Sequence, residues 1–167
     1  MPAPQRLAPD ALALTAELWD ADDEEAGTGR FVLLHDPDGV DEWDGTFRAV
    51  VFVRAPLEPV LATDPLLADV GWSWLVDALS SSGAESVQLG GTVTRTTGNS
   101  FGTMSDRAGD ASIEIRASWT PAGNSGVAHQ MDRHVRAWLA LLELAAGIVP
   151  VPRDVTRVRA GRQRTRG

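Results

Sequence analysis

The chain of 167 residues contains no cysteine, no tyrosine and no lysine. Without cysteine there can be no disulfide scaffold, thiolate zinc site or cysteine nucleophile, and the cytoplasm becomes the simplest compartment. Every basic side chain is arginine, and the abundance of alanine beside scarce isoleucine reads as codon usage in a GC-rich genome, background to any function. Long apolar runs are also missing. The most apolar stretch, Val135 to Val151, is interrupted by Arg136, Glu143 and Pro150, and the opening Met1-Pro-Ala-Pro-Gln-Arg-Leu7 has no signal core. No membrane span is expected.

What remains is an ordinary globular composition, 43% apolar and 23% charged, in a chain long enough to bury one core and too short for two full domains. Residues 1–80 carry 16 acids and 4 arginines, residues 81–152 carry 6 and 5, and residues 153–167 carry 1 and 6. This divides the chain into a single domain over 1–152, acidic in its first half, and a basic tail over 153–167 that has neither apolar period nor core residues and is expected to be disordered. An acidic body repels phosphates, so nucleic acid is an unlikely partner except through the tail.

Hydrophobic periodicity predicts the elements. Ala11 to Trp19 alternates as a half-buried strand; Asp20 to Gly29 is acidic and glycine-rich and reads as a loop; Arg30 to His35 is a short apolar strand. Asp36-Pro-Asp-Gly39 has turn chemistry, and Thr46 to Ala55 alternates again. Asp64-Pro65 reads as a helix start, with Leu67, Val70, Trp74, Leu75 and Ala78 at helical spacing. Ser86 to Arg95 and Ser112 to Trp119 follow as strands around a long glycine-rich loop, and Val127 to Ala146 forms a last helix with Met131, Val135, Trp138, Leu142 and Ala145 in one stripe. The expected fold is α+β: an antiparallel five-stranded sheet and two helices in the order β-β-β-α-β-β-α, with the helices on one face.

Seven segments in order, Ala3-Pro-Gln-Arg-Leu-Ala-Pro9, Leu33-Leu-His-Asp-Pro37, Trp43-Asp-Gly-Thr-Phe-Arg48, Asp64-Pro-Leu-Leu67, Gly71-Trp-Ser-Trp-Leu75, Gly91-Thr-Val-Thr-Arg95 and Glu114-Ile-Arg-Ala-Ser-Trp-Thr-Pro121, resemble the uncharacterised actinobacterial family named domain of unknown function 3000. The resemblance spans most of residues 3–152 and brings no catalytic residue or cofactor with it. It implies a further N-terminal helix, so that Met1 is a late start and part of the core is uncovered. Its frequent gene neighbour, a ribonuclease D-type exonuclease, implies a link to RNA metabolism. With that helix added, the element order is similar to secretion-chaperone-like domains, which generally bind proteins; this is analogy at the level of fold.

Candidate chemistry lies on the sheet face opposite the helices, where alternation places Arg48, Arg54, Thr92, Thr94, Glu114 and Arg116. Guanidinium groups beside hydroxyls hold carboxylates or phosphates, although the same residues also make an ordinary solvated sheet face. Arg95, at a strand end, has no assigned side. The loop Thr97 to Gly102 fits neither a P-loop nor a dinucleotide fingerprint, and Ser100 lacks the Gly-x-Ser-x-Gly context of a nucleophile. The acidic runs Asp20 to Glu25 and Asp36 to Asp44 do not follow EF-hand order, and His35, His129 and His134 lack metal-ligand spacing. Trp72 and Trp74 cannot both point inward from one helix, so Trp72, with Trp43, is a candidate protein-facing hot spot. The sequence therefore predicts a cytoplasmic binding or adaptor domain, without catalytic residue, metal or cofactor, that engages a protein partner or itself. The alternatives are an enzyme or small-ligand binder holding an anion between Arg54, Glu114 and Arg116, and an RNA-associated protein acting through its tail.

Overall fold

The computed structural model describes residues 8–106, 109–122 and 127–147, the last span without the side chains of 127–129. The first seven residues and the basic tail, with the expectations attached to them, lie outside the described residues. Five strands, β1 (Asp10–Trp19), β2 (Glu25–Val40), β3 (Gly45–Pro56), β4 (Ser86–Thr97) and β5 (Ala111–Pro121), form one sheet in the order β1-β2-β3-β5-β4. Every neighbouring pair is antiparallel. Three helices, α1 (Pro59–Ala62), α2 (Leu67–Ser81) and α3 (Val127–Ala145), complete the α+β fold. The alternation read from sequence is what the sheet uses. The short α1 is additional, and at four residues it is too brief to show a helical period.

Alternation makes the core. Ala49, Val51, Val53 and Ala55 of β3 lie beside Ile113, Ile115, Ala117 and Trp119 of β5, all buried and facing the helices. Leu75, Ala78 and Leu79 of α2 and Ala137, Trp138, Leu141 and Leu142 of α3 close over them in one cluster. Each large apolar side chain so buried contributes about 1.5–3 kcal/mol. Arg95 also falls on this side of the sheet: its guanidinium donates to the carbonyls of Ala62 (3.3 Å) and Asp64 (2.8 Å) and holds α1 and the turn before α2 against β4. The Asp64 carboxylate accepts from the Leu66 amide at 2.9 Å, and α2 begins only at Leu67, two residues beyond the proline expected to open it.

Two segments depart from the sequence expectation for identifiable reasons. Glu25 to Gly29, expected as loop, is strand, because its glycines answer to packing. A Cβ on Gly29 would lie 2.9 Å from Trp138 Nε1, and one on Gly27 3.1 Å from Leu142 Cδ1, so α3 can lie on β2 only where side chains are missing. Asp36-Pro-Asp-Gly39, expected as the hairpin turn, instead makes an irregularity within β2, with Gly39 at φ 77°. The reversal comes later, in a single 3-10 turn at Asp41–Trp43 closed by Asp44 at φ 54°.

The sheet and α3 are also joined by a buried polar pair. Trp119 Nε1 donates to His134 Nδ1 at 2.9 Å, with both side chains fully enclosed. Accepting that hydrogen bond fixes the histidine as the neutral tautomer with its proton on Nε2. Desolvation, reinforced by the Arg133 charge and opposed by Asp132, lowers the His134 pKa below its ordinary value. The unfolded chain therefore takes up this proton first as pH falls. The stabilisation is complete above the unfolded value of about 6.5 and is lost as pH drops below it. Thermal unfolding from roughly pH 7 to pH 5 should show a steeper loss for the wild type than for His134→Gln; parallel curves would contradict the assignment.

Candidate functional site

The face of the sheet opposite the helices is organised in rows that run across the strands. One row joins Arg30, Phe52, Arg116 and Thr92, each directly opposite the next. The Arg116 guanidinium lies over the Phe52 ring, 5.2 Å from its centroid, a cation–π contact that holds the charge in place while leaving its donors exposed. Arg30 flanks the same ring from the other side, is exposed, and has no carboxylate in contact among the described residues. The adjacent row is Val32, Val50, Ser118 and Gly90. Val50 keeps 38% of its surface exposed, and no atom lies within 4 Å of the position a Gly90 Cβ would occupy. Together the two rows form a shallow groove of about 720 Å³ with an apolar floor and an arginine on either side of its aromatic residue.

The next row along is Thr28, Arg54, Glu114 and Thr94. Glu114, half-buried, lies 3.7 Å from Arg54 Nε and 3.9 Å from Arg116, a loose ion-pair triad with two exposed arginines whose contribution to stability is small. Arg54, Glu114 and Thr94 border the groove but do not line it. The expected Arg54–Glu114–Arg116 cluster therefore exists as a surface network. The concave part of the face lies one row over and includes Arg30, Val50 and Phe52, which were not singled out from the sequence. Locating them requires the β2–β3 register, because Arg30 begins an apolar run in which its own alternation does not show.

Arg48 is on the same face but committed elsewhere. Its guanidinium donates to Ser118 Oγ at 2.8 Å and Thr120 Oγ1 at 3.1 Å, and desolvation lowers its pKa while leaving it charged. Thr120 in turn donates to the Trp43 carbonyl, which ties the 3-10 turn to β5 and closes this end of the face. Trp43 is thus half-buried in a structural corner. Trp72 and Trp74 are both half-buried against the core, contrary to the expectation that one of them projects outward. The exposed tryptophan is Trp19, at 55%, at the end of β1.

The electrostatics of this face differ from those of the whole chain. The formal charge is −8, yet the outer face carries Arg30, Arg48, Arg54 and Arg116 against Glu114 and Glu17. Such an arrangement holds an anion beside an apolar group. Among the described residues, the other polar side chains lining the groove are the Thr92 and Ser118 hydroxyls. Among the described residues no three His, Asp or Glu side chains converge as metal ligands, and no helix is long and apolar enough to cross a membrane.

Residues 1–156 match the family model described as protein of unknown function (DUF3000). No curated protein and no solved structure matches the chain.

Proposed function

The chain belongs to the DUF3000 family, and we propose that it is a cytoplasmic, non-enzymatic binding domain whose outer sheet face receives an acidic segment of a partner protein with an apolar side chain between its carboxylates. The observation that carries this reading is the Arg30–Phe52–Arg116 row over the Val50 and Gly90 floor. Phe52 and Val50 offer apolar contact, and the two arginines, whose backbones stand about 10 Å apart across two strand spacings, each offer bidentate donors. A shallow groove open along its length suits an extended segment better than an enclosed small molecule. The fold-level analogy to secretion-chaperone-like domains points the same way.

A capped Glu-Gly-Phe-Gly-Glu peptide, when extended, sets its two carboxylate residues about 13 Å apart with one aromatic side chain between them, a span the long arginine side chains can meet. By calorimetry it should bind at least tenfold more tightly than the same peptide with lysine in place of glutamate. Arg116→Ala should weaken it by about tenfold, the loss of one charge-assisted contact of about 1.5 kcal/mol. Equal affinity for the two peptides would refute the reading.

A further inference from the structure

Among the described residues β1 is an edge strand whose outer backbone groups have no partner in the sheet. Natural edges are blunted by charge, proline, bulges or covering elements, because an open edge templates further pairing. The opposite edge shows such blunting: β4 has a bulge between Val87 and Gly90, with Gln88 at φ 54°. β1 has none along Ala11 to Ala16, six consecutive residues without charge or proline, paired with β2 in unbroken register. On the helix side of this strand Leu12 and Leu14 are 55% and 37% exposed, beyond the cover of α3, with Ala16, Leu18 and Leu33 only partly buried beside them.

From this edge we infer that β1 pairs antiparallel with β1 of a second copy of the chain, continuing the sheet from five strands to ten across a twofold axis. An axis perpendicular to the sheet is the symmetry that pairs a strand with its own copy in this way, and opposed residues then share a face. With Ala13 on the axis, Leu12 of each copy faces Leu14 of the other, so four leucines come together on the helix side. The same register sets Asp10 opposite Ala16 and Thr15 opposite Ala11. No carboxylate meets another, whereas a register opposing Asp10 to Glu17 would place the leucines against the threonine face and is excluded by the pleat. The strand can therefore oppose its own copy with its leucines together and no carboxylate against another. On the outer face the joined β1 strands present only Ala11, Ala13 and Thr15 between the two Arg30 side chains, so the two basic grooves share one continuous surface.

The absence of cysteine makes the test direct. In sedimentation experiments across the micromolar range the wild-type chain should be a dimer that strengthens as salt rises, since each copy carries −8. Ala13→Cys should form an intermolecular disulfide on mild oxidation, because directly opposed residues lie within disulfide reach. Thr15→Cys should not, its counterpart lying four residues along the partner strand. The double variant L12K/L14K, changing two exposed side chains, should remain folded and sediment as a monomer. A wild-type monomer overturns the inference, as does a dimer that survives L12K/L14K or fails to cross-link through Ala13→Cys. A monomer whose β1 amides exchange slowly would show instead that the edge is covered from within the chain. Thr15→Cys, directly opposite Arg30, is used for cross-linking alone; L12K/L14K lies on the other face of the sheet from Arg30, Phe52 and Arg116, and peptide binding should weaken with salt where dimerisation strengthens, so the two readings can fail separately.

Discussion

Trp119→Ala should lower the unfolding free energy by about 3–5 kcal/mol, a large part of what a domain of this size possesses. Trp119 is fully buried at the junction of β5 and α3, next to Ala49 across the sheet. Its removal opens a cavity the size of an indole ring in the core. It also strips His134 Nδ1 of its donor inside a core where, among the described residues, His134 Nε2 and Gln130 Oε1 already have no partner. Trp119→Phe separates the two effects: most of the apolar area stays while the hydrogen bond goes, for an expected cost of about 1–3 kcal/mol. Urea unfolding, read by midpoint and slope together, checks both. A Trp119→Ala loss no larger than that of Trp119→Phe would mean that the indole ring is not packed as described.

Gly91→Ala should cost about 1–3 kcal/mol, although it adds only one methyl group. A Cβ at Gly91 would lie 2.2 Å from the Arg116 carbonyl oxygen and 2.8 Å from Ala117 Cα. Both are backbone atoms, so neither can rotate away, and β4 must lift off β5. Because Gly90, Gly91 and Thr92 all line the groove, loss of stability should be accompanied by loss of peptide binding. Gly90→Ala is the informative neighbour. Its Cβ meets nothing within 4 Å, so stability should hold or improve by about 0.5–1 kcal/mol as strand entropy is relieved, while the added methyl narrows the floor and weakens binding. If Gly91→Ala is as well tolerated as Gly90→Ala, the close approach of β4 and β5 is not a requirement of the fold.

The sequence made the sheet legible wherever one face was apolar and the other polar. Val51, Val53 and Ala55 against Phe52 and Arg54, or Ile113 and Ile115 against Glu114 and Arg116, state their own alternation, and the structure follows it. It was least legible where a residue serves tertiary packing rather than local geometry. Gly27 and Gly29 look like loop glycines and are strand residues making room for Leu142 and Trp138. The candidate site was half legible for the same reason. Alternation within β5 puts Arg116 and Glu114 on the outer face, but the Arg30–Phe52–Arg116 row spans three strands and depends on registers no single segment encodes. Arg48 shows the opposite limit: sequence places it correctly on the face, and only the structure reveals that Ser118 and Thr120 already take its donors.

The most direct test of the outer-face reading is amide chemical-shift mapping of the full chain during titration with the capped Glu-Gly-Phe-Gly-Glu peptide. The reading expects shifts at Arg30, Val50, Phe52, Thr92, Arg116 and Ser118, in the fast-exchange regime of weak binding, with the buried Trp119 indole unmoved. Shifts confined to the helix side of the sheet, or none at millimolar peptide, would contradict it.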